Sequence, residues 1–91
     1  MADIQDDRLA LINKWVAEGV FYKLESPGSV VRLWVTPYFN TADFDTKQKL
    51  VNVVYAYYLT QDSKNNLVTL YDSQTGKKLG SYSDGWGLKL N

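Results

Sequence analysis

"VFYKLESPGSVVRLWVTP", residues 20–37, decides the fold of this chain. Two runs rich in β-branched and aromatic residues flank a Ser-Pro-Gly-Ser break. Pro27 followed by Gly28 suits the central positions of a type II turn, because proline presets the first φ and glycine accepts the positive second one. The expectation is a β-hairpin. In the first run Val20, Tyr22 and Leu24 alternate with Phe21, Lys23 and Glu25; in the second, Val31, Leu33 and Val35 alternate with Arg32, Trp34 and Thr36. One side of the second strand is purely apolar and belongs against a core. The other carries a tryptophan beside an arginine. Pro37 has no backbone donor and is expected to end the strand.

Toward the N-terminus, residues 4–18 place Ile4, Leu11, Ile12, Trp15 and Val16 near one helical stripe. Asp3, Asp6 and Asp7 fall in the first turn, where the helix dipole favours acids, and Gly19 can close the helix. Toward the C-terminus, residues 37–43 read as a connection and residues 46–60 as a second helix. Asp45 is its expected N-cap, with Gln48 completing a capping box. Leu50, Val51, Val54, Tyr57 and Tyr58 form its broad apolar face, and at least one of the three tyrosines of VVYAYYLTQ belongs to the core. A polar turn (61–66), a strand (67–72), a turn (73–76), a strand (77–83), the break DGWG and a short strand (88–90) follow. The order α-β-β-α-β-β(-β), in one domain over residues 1–91, defines an α+β fold. Its expected form is a mainly antiparallel sheet with both helices packed on one face and the other face open.

The balance of ten basic and ten acidic side chains gives zero net charge, where a basic nucleic-acid binder would show an excess of positive charge. The charges are segregated: residues 1–45 hold seven acids and four bases, residues 46–91 three acids and six bases. Chance placement on solvated faces is the simpler account of such asymmetry, which can also steer a partner or order head-to-tail contacts between copies. The first residues are acidic with no long apolar run behind them, unlike a signal peptide, and no segment approaches the roughly 20 apolar residues of a membrane helix. These features predict a soluble, cytoplasmic protein with no membrane association.

The chain lacks histidine and cysteine, which removes Cys/His zinc sites, thiol nucleophiles and every histidine-based triad. An enzyme would have to rest on carboxylates, lysine or tyrosine. Asp43 and Asp45, with a nearby lysine, are the closest such set outside the first helix, but helix capping accounts for aspartates in that position. Asp62, Lys64 and Asn66 have the spacing of a calcium loop, yet Lys64 stands where an acceptor is needed and Leu67 where glycine is needed. Gly76-Lys77 matches the end of a phosphate loop, but Tyr71 stands where its first glycine belongs and Lys78 where a hydroxyl belongs. The sequence after it alternates like a strand, so residues 72–77 predict a hairpin turn with Gly76 at positive φ. No metal and no cofactor are expected.

What remains is aromatic. With the Val31/Leu33/Val35 side against the helices, Trp34 and Arg32 point outward, and Phe21 and Lys23 are expected to share that face from the neighbouring strand. Three readings fit: cross-strand pairing that needs no partner, a protein interface, and stacking of single-stranded nucleic acid. Charge neutrality demotes the last. The function expected is a non-enzymatic protein-interaction or self-associating module, with Phe21, Lys23, Arg32 and Trp34 as its contacts. Single-stranded nucleic-acid binding is the alternative, and a carboxylate enzyme trails both. Trp86, between Gly85 and Gly87, is assigned no role.

Three segments of residues 31–83, VRLWVTPYF, FDTKQKLVNVVYAYY and VTLYDSQTGKKLGSYS, resemble small bacterial domains of unknown function. The likeness lies in a strand, a helix and a hairpin. It implies a compact α+β fold and brings no activity and no site residue with it.

Overall fold

The computed structural model describes residues 4–90. Helix α1 (Ile4–Ala17) leads into strands β1 (Phe21–Glu25) and β2 (Val31–Val35), a short helix α2 (Pro37–Asn40), the long helix α3 (Phe44–Gln61), and strands β3 (Val68–Asp72), β4 (Lys78–Ser83) and β5 (Gly87–Leu90). The strands form one sheet in the order β1-β2-β3-β4-β5. Three of its junctions are antiparallel, as expected from tight turns. The central one, β2 to β3, is parallel. Parallel neighbours require a long crossover, and α3 supplies it. The fold is therefore α+β with a mixed, mostly antiparallel sheet: a two-stranded hairpin and a three-stranded meander joined side by side through a β-α-β connection.

The core follows from strand alternation. Val31, Leu33 and Val35 of β2 and Val68 and Leu70 of β3 are fully buried, and Val51 and Val54 of α3 pack into the same cluster. Tyr55 supplies the core tyrosine and meets Tyr82 of β4 edge-on, with ring centroids 5.1 Å apart. The Tyr82 hydroxyl donates to Asn52 Oδ1 at 2.7 Å, so its polar tip is satisfied at the rim of the core. Burial pushes the Tyr82 hydroxyl above its ordinary pKa, with Asp84 and Tyr55 adding to the effect. Among the described residues no helix is long and apolar enough to cross a membrane.

Helix α1 uses less of its apolar surface than the sequence predicts. Ile12 is its buried residue, while Ile4, Leu11 and Val16 stay exposed. Its side-chain hydrogen bonds to α3 come instead from Gln5 and Arg8, one helical turn apart. Gln5 Nε2 donates to the Tyr57 carbonyl at 3.0 Å and Arg8 donates to Thr60 Oγ1 at 3.2 Å. Asp6 and Asp7 occupy the first turn as expected, and Asp3 lies outside the described residues.

Three local expectations are corrected. β2 ends before Pro37 as expected, but the connection expected over residues 37–43 holds a helix: Pro37 starts α2, because a helix's first position needs no N–H and proline's fixed φ suits it. That turn inserts Phe39 fully into the core. The long helix begins earlier than residue 46: Asp43 is the N-cap and accepts from Thr46 N at 2.7 Å, while Asp45 stands in the first turn 3.9 Å from Lys49. Gln48 closes no capping box; its Oε1 accepts from Leu88 N at 3.3 Å and ties α3 to β5. Finally, β1 does not alternate regularly, with a consequence for the site described below.

The cap makes a prediction. The Thr46 backbone N–H holds the Asp43 carboxyl below its usual range. A carboxyl whose folded pKa is depressed stabilises the fold above its unfolded pKa, and the effect is lost as pH falls through the folded value. Asp43→Ala is expected to lower the urea midpoint at neutral pH. The gap to the parent protein should narrow as pH drops below the ordinary carboxylate range, as followed by circular dichroism.

Candidate functional site

Cross-strand register places side chains on the sheet face opposite the buried valines and leucines in two rows. Glu25 pairs with Arg32, Arg32 with Thr69, Thr69 with Ser81, and Ser81 with Lys89. Beside that row, Lys23 pairs with Trp34, Trp34 with Tyr71, and Tyr71 with Lys78. Lys23, Glu25, Arg32, Lys78 and Lys89 are exposed, so this face is open to solvent. Thr69, in the middle, is buried.

The second row is built around aromatic contact. Trp34 and Tyr71 stack with centroids 5.2 Å apart and ring planes at 23°. From the other side the Lys23 ammonium sits 4.4 Å from the Trp34 ring centroid, where the ring's negative face attracts it. Lys23 also lies 3.7 Å from Glu25. Trp34 thus has a cation on its β1 side and a ring on its β3 side. The ring is half-buried, with Lys23 and Tyr71 both lying against it.

The charge of the face is one-sided. Four bases (Lys23, Arg32, Lys78 and Lys89) stand there against one acid (Glu25). A chain neutral overall therefore has a basic sheet surface, which whole-chain charge conceals.

Of the sequence-predicted contacts, Lys23, Arg32 and Trp34 lie together on the open face. Phe21 does not. It is 1% exposed and belongs to the core, 5.8 Å from Trp15 and 6.2 Å from Phe39 by ring centroids. The reason is a register shift between Phe21 and Lys23: Phe21 pairs with Val35 and Lys23 with Trp34, so β1 holds one extra residue. A bulge of this kind turns the following side chains to the opposite face. Tyr22, the extra residue, is exposed instead. Tyr71, Lys78 and Lys89 complete the face and were not among the expected contacts. Their placement depends on β3 lying beside β2, which no local pattern announces.

The stretch that imitates a phosphate loop is a hairpin turn. Asp72 Oδ1 accepts from Gln74 N at 2.7 Å and Thr75 N at 3.3 Å, and Gly76 takes φ +74. Trp86 stands half-exposed in the β4–β5 turn, its backbone N–H donating to the Ser83 carbonyl at 3.2 Å. The carboxylate pair considered for catalysis is divided between a helix cap, Asp43, and an exposed ion pair, Asp45 with Lys49. No family model, curated protein or solved structure matches this chain.

Proposed function

We propose that this chain is a non-enzymatic binding module whose open sheet face receives a protein partner with an acidic surface. The row Lys23–Trp34–Tyr71–Lys78, flanked by Arg32 and Lys89, carries the reading. Trp, Tyr and Arg are the residues most enriched where interfaces gain their energy. Here the ring pair is held rigid by its own stacking, so little side-chain entropy is lost when a partner covers it. The surrounding bases favour carboxylates and disfavour a like-charged surface. A second copy could not meet this face with the same face; it would have to offer an acidic region, such as the Asp6 and Asp7 turn of α1, in a head-to-tail contact.

Base stacking is less well supported than protein contact. Sequence-tolerant binders offer open ring faces to the bases, whereas a base reaching Trp34 would have to expel Lys23 or Tyr71.

The test is a fluorescence titration with a short poly-glutamate peptide and, in parallel, oligothymidine. The peptide is expected to change tryptophan emission at low salt. The change should vanish in Trp34→Phe if Trp34 reports it, and the affinity should fall about tenfold in a Lys23→Gln/Arg32→Gln double variant. Quenching by the oligonucleotide alone would replace this reading with the nucleic-acid one. Silence toward both, from a protein that sediments as a monomer, would remove the site.

A further inference from the structure

The helical side of the molecule holds a second concavity, remote from the basic sheet face. A cleft of about 310 Å³ opens between the end of α1, the short helix α2 and the start of α3. That volume is at the lower end of small-ligand sites. Trp15, Tyr38 and Phe39 supply aromatic wall, with Leu50 behind them, and Glu18 is the sole charged residue of the lining. Two of the rings are fixed by the core. Trp15 meets Phe21 edge-on at 82°, and Phe39 packs on Phe21 from the other direction. Tyr38 is 69% exposed and stands at the mouth.

Several features bring negative charge to this cleft, set against Lys14 in the last turn of α1 and Lys47 beside the Phe39 ring. Among the described residues no basic nitrogen lies within ion-pair distance of Glu18. The cleft receives the C-terminal end of α1, where the helix dipole is negative, since Trp15 and Glu18 lie in or beside its last turn and Val20 just beyond. The Asp43 carboxylate is bonded to the backbone of the lining residue Thr46. Aromatic faces add the negative side of their quadrupoles. Phe39 already attracts a cation within the chain: the Lys47 ammonium sits 5.9 Å from its ring centroid, although Lys47 is not part of the lining.

We propose that this cleft binds an organic ammonium group carried on a compact apolar body, with Trp15 and Tyr38 as its aromatic walls, the buried Phe39 supporting them from the core, and Glu18 as the counter-charge. A trimethylammonium head fits this chemistry best, because it is too weakly hydrated to be costly to bury and too bulky to form a tight surface ion pair. The head can come from a free amine such as choline or from a methylated lysine side chain. The proposal does not depend on the sheet face.

Amide and indole NMR resonances of the full chain provide the test, with choline, its neutral carbon isostere dimethylbutanol, and a short peptide carrying trimethyllysine as probes. Choline is expected to shift Trp15, Ala42 and Thr46 saturably, with dimethylbutanol at least about tenfold weaker. Glu18→Gln, an exposed change that leaves the core alone, should weaken choline about fivefold and leave dimethylbutanol unaffected. Tighter binding of the peptide than of choline would identify a protein side chain as the source, and the reverse order a free amine. Equal binding of choline and its isostere, or no saturable shift from any probe, would overturn the proposal.

Discussion

Replacing Phe21 with alanine is expected to lower the unfolding free energy by about 3–5 kcal/mol, the range for truncating a buried phenylalanine. For a domain of this size, with a total stability of roughly 5–14 kcal/mol, that is a large share. Phe21 is fully buried at the point where three elements meet: Trp15 of α1 on its edge, Phe39 of α2 beside it, and Val35 across the ladder. Removing the ring leaves a void that rigid aromatic neighbours cannot close. It also withdraws the support that orients Trp15 and Phe39, so the cleft between α1 and α3 should lose its shape as well. Trp34→Ala provides the contrast. Its ring is half-buried on the open face, and losing the stack with Tyr71 and the Lys23 contact should cost only about 1–2 kcal/mol. Urea denaturation of both variants checks the ordering. A Phe21 variant as stable as the Trp34 variant would contradict the bulge that sends Phe21 inward.

Local patterns carried the elements but not their neighbours. Alternation in β2 put Val31, Leu33 and Val35 inside and Arg32 and Trp34 outside, and the structure agrees residue by residue. Glycine's part in the turns was readable, since Gly28 and Gly76 take φ +69 and +74, although the first turn falls on Gly28 and Ser29 and not on Pro27 and Gly28. Three things were not legible. The bulge in β1 adds one residue to a strand, and strict alternation, which cannot register it, assigns Phe21 to the open face. The helical turn at Pro37 is only four residues long, too short for any periodicity to appear, and the cleft it walls went with it. The parallel β2–β3 pairing is a tertiary choice made through α3; it brings Tyr71 to Trp34 and turns a lone exposed tryptophan into a stacked pair. The basic character of the sheet face was hidden in the same way. Lys23, Arg32, Lys78 and Lys89 are scattered along the chain and become one patch only when the strand order is known.

Gly80→Ala is expected to detach β5 from the sheet. Gly80 sits in the buried middle of β4, opposite Leu90. A Cβ built there would overlap the Lys89 carbonyl oxygen and come 2.9 Å from the Leu90 Cα. Both are backbone atoms of the pairing strand, so no side chain can swing away to make room. The conflict can be relieved only by moving β5, and overpacking of this kind costs about 1–3 kcal/mol or more. Movement of β5 then exposes Leu88, which is otherwise buried, and breaks the Gln48 Oε1 to Leu88 N bond that holds the strand to α3. Amide hydrogen exchange separates this outcome from general unfolding. Protection should be lost at Leu88 and Leu90 while the amides of β2 and β3, buried between other strands, keep theirs. The loss also converts β4 into an edge with unpaired backbone groups, so the variant should aggregate at concentrations where the parent protein does not. Full protection of β5 in the variant would mean that β4 and β5 can separate enough to admit a methyl group, and the close approach at Gly80 would then not be what requires glycine there.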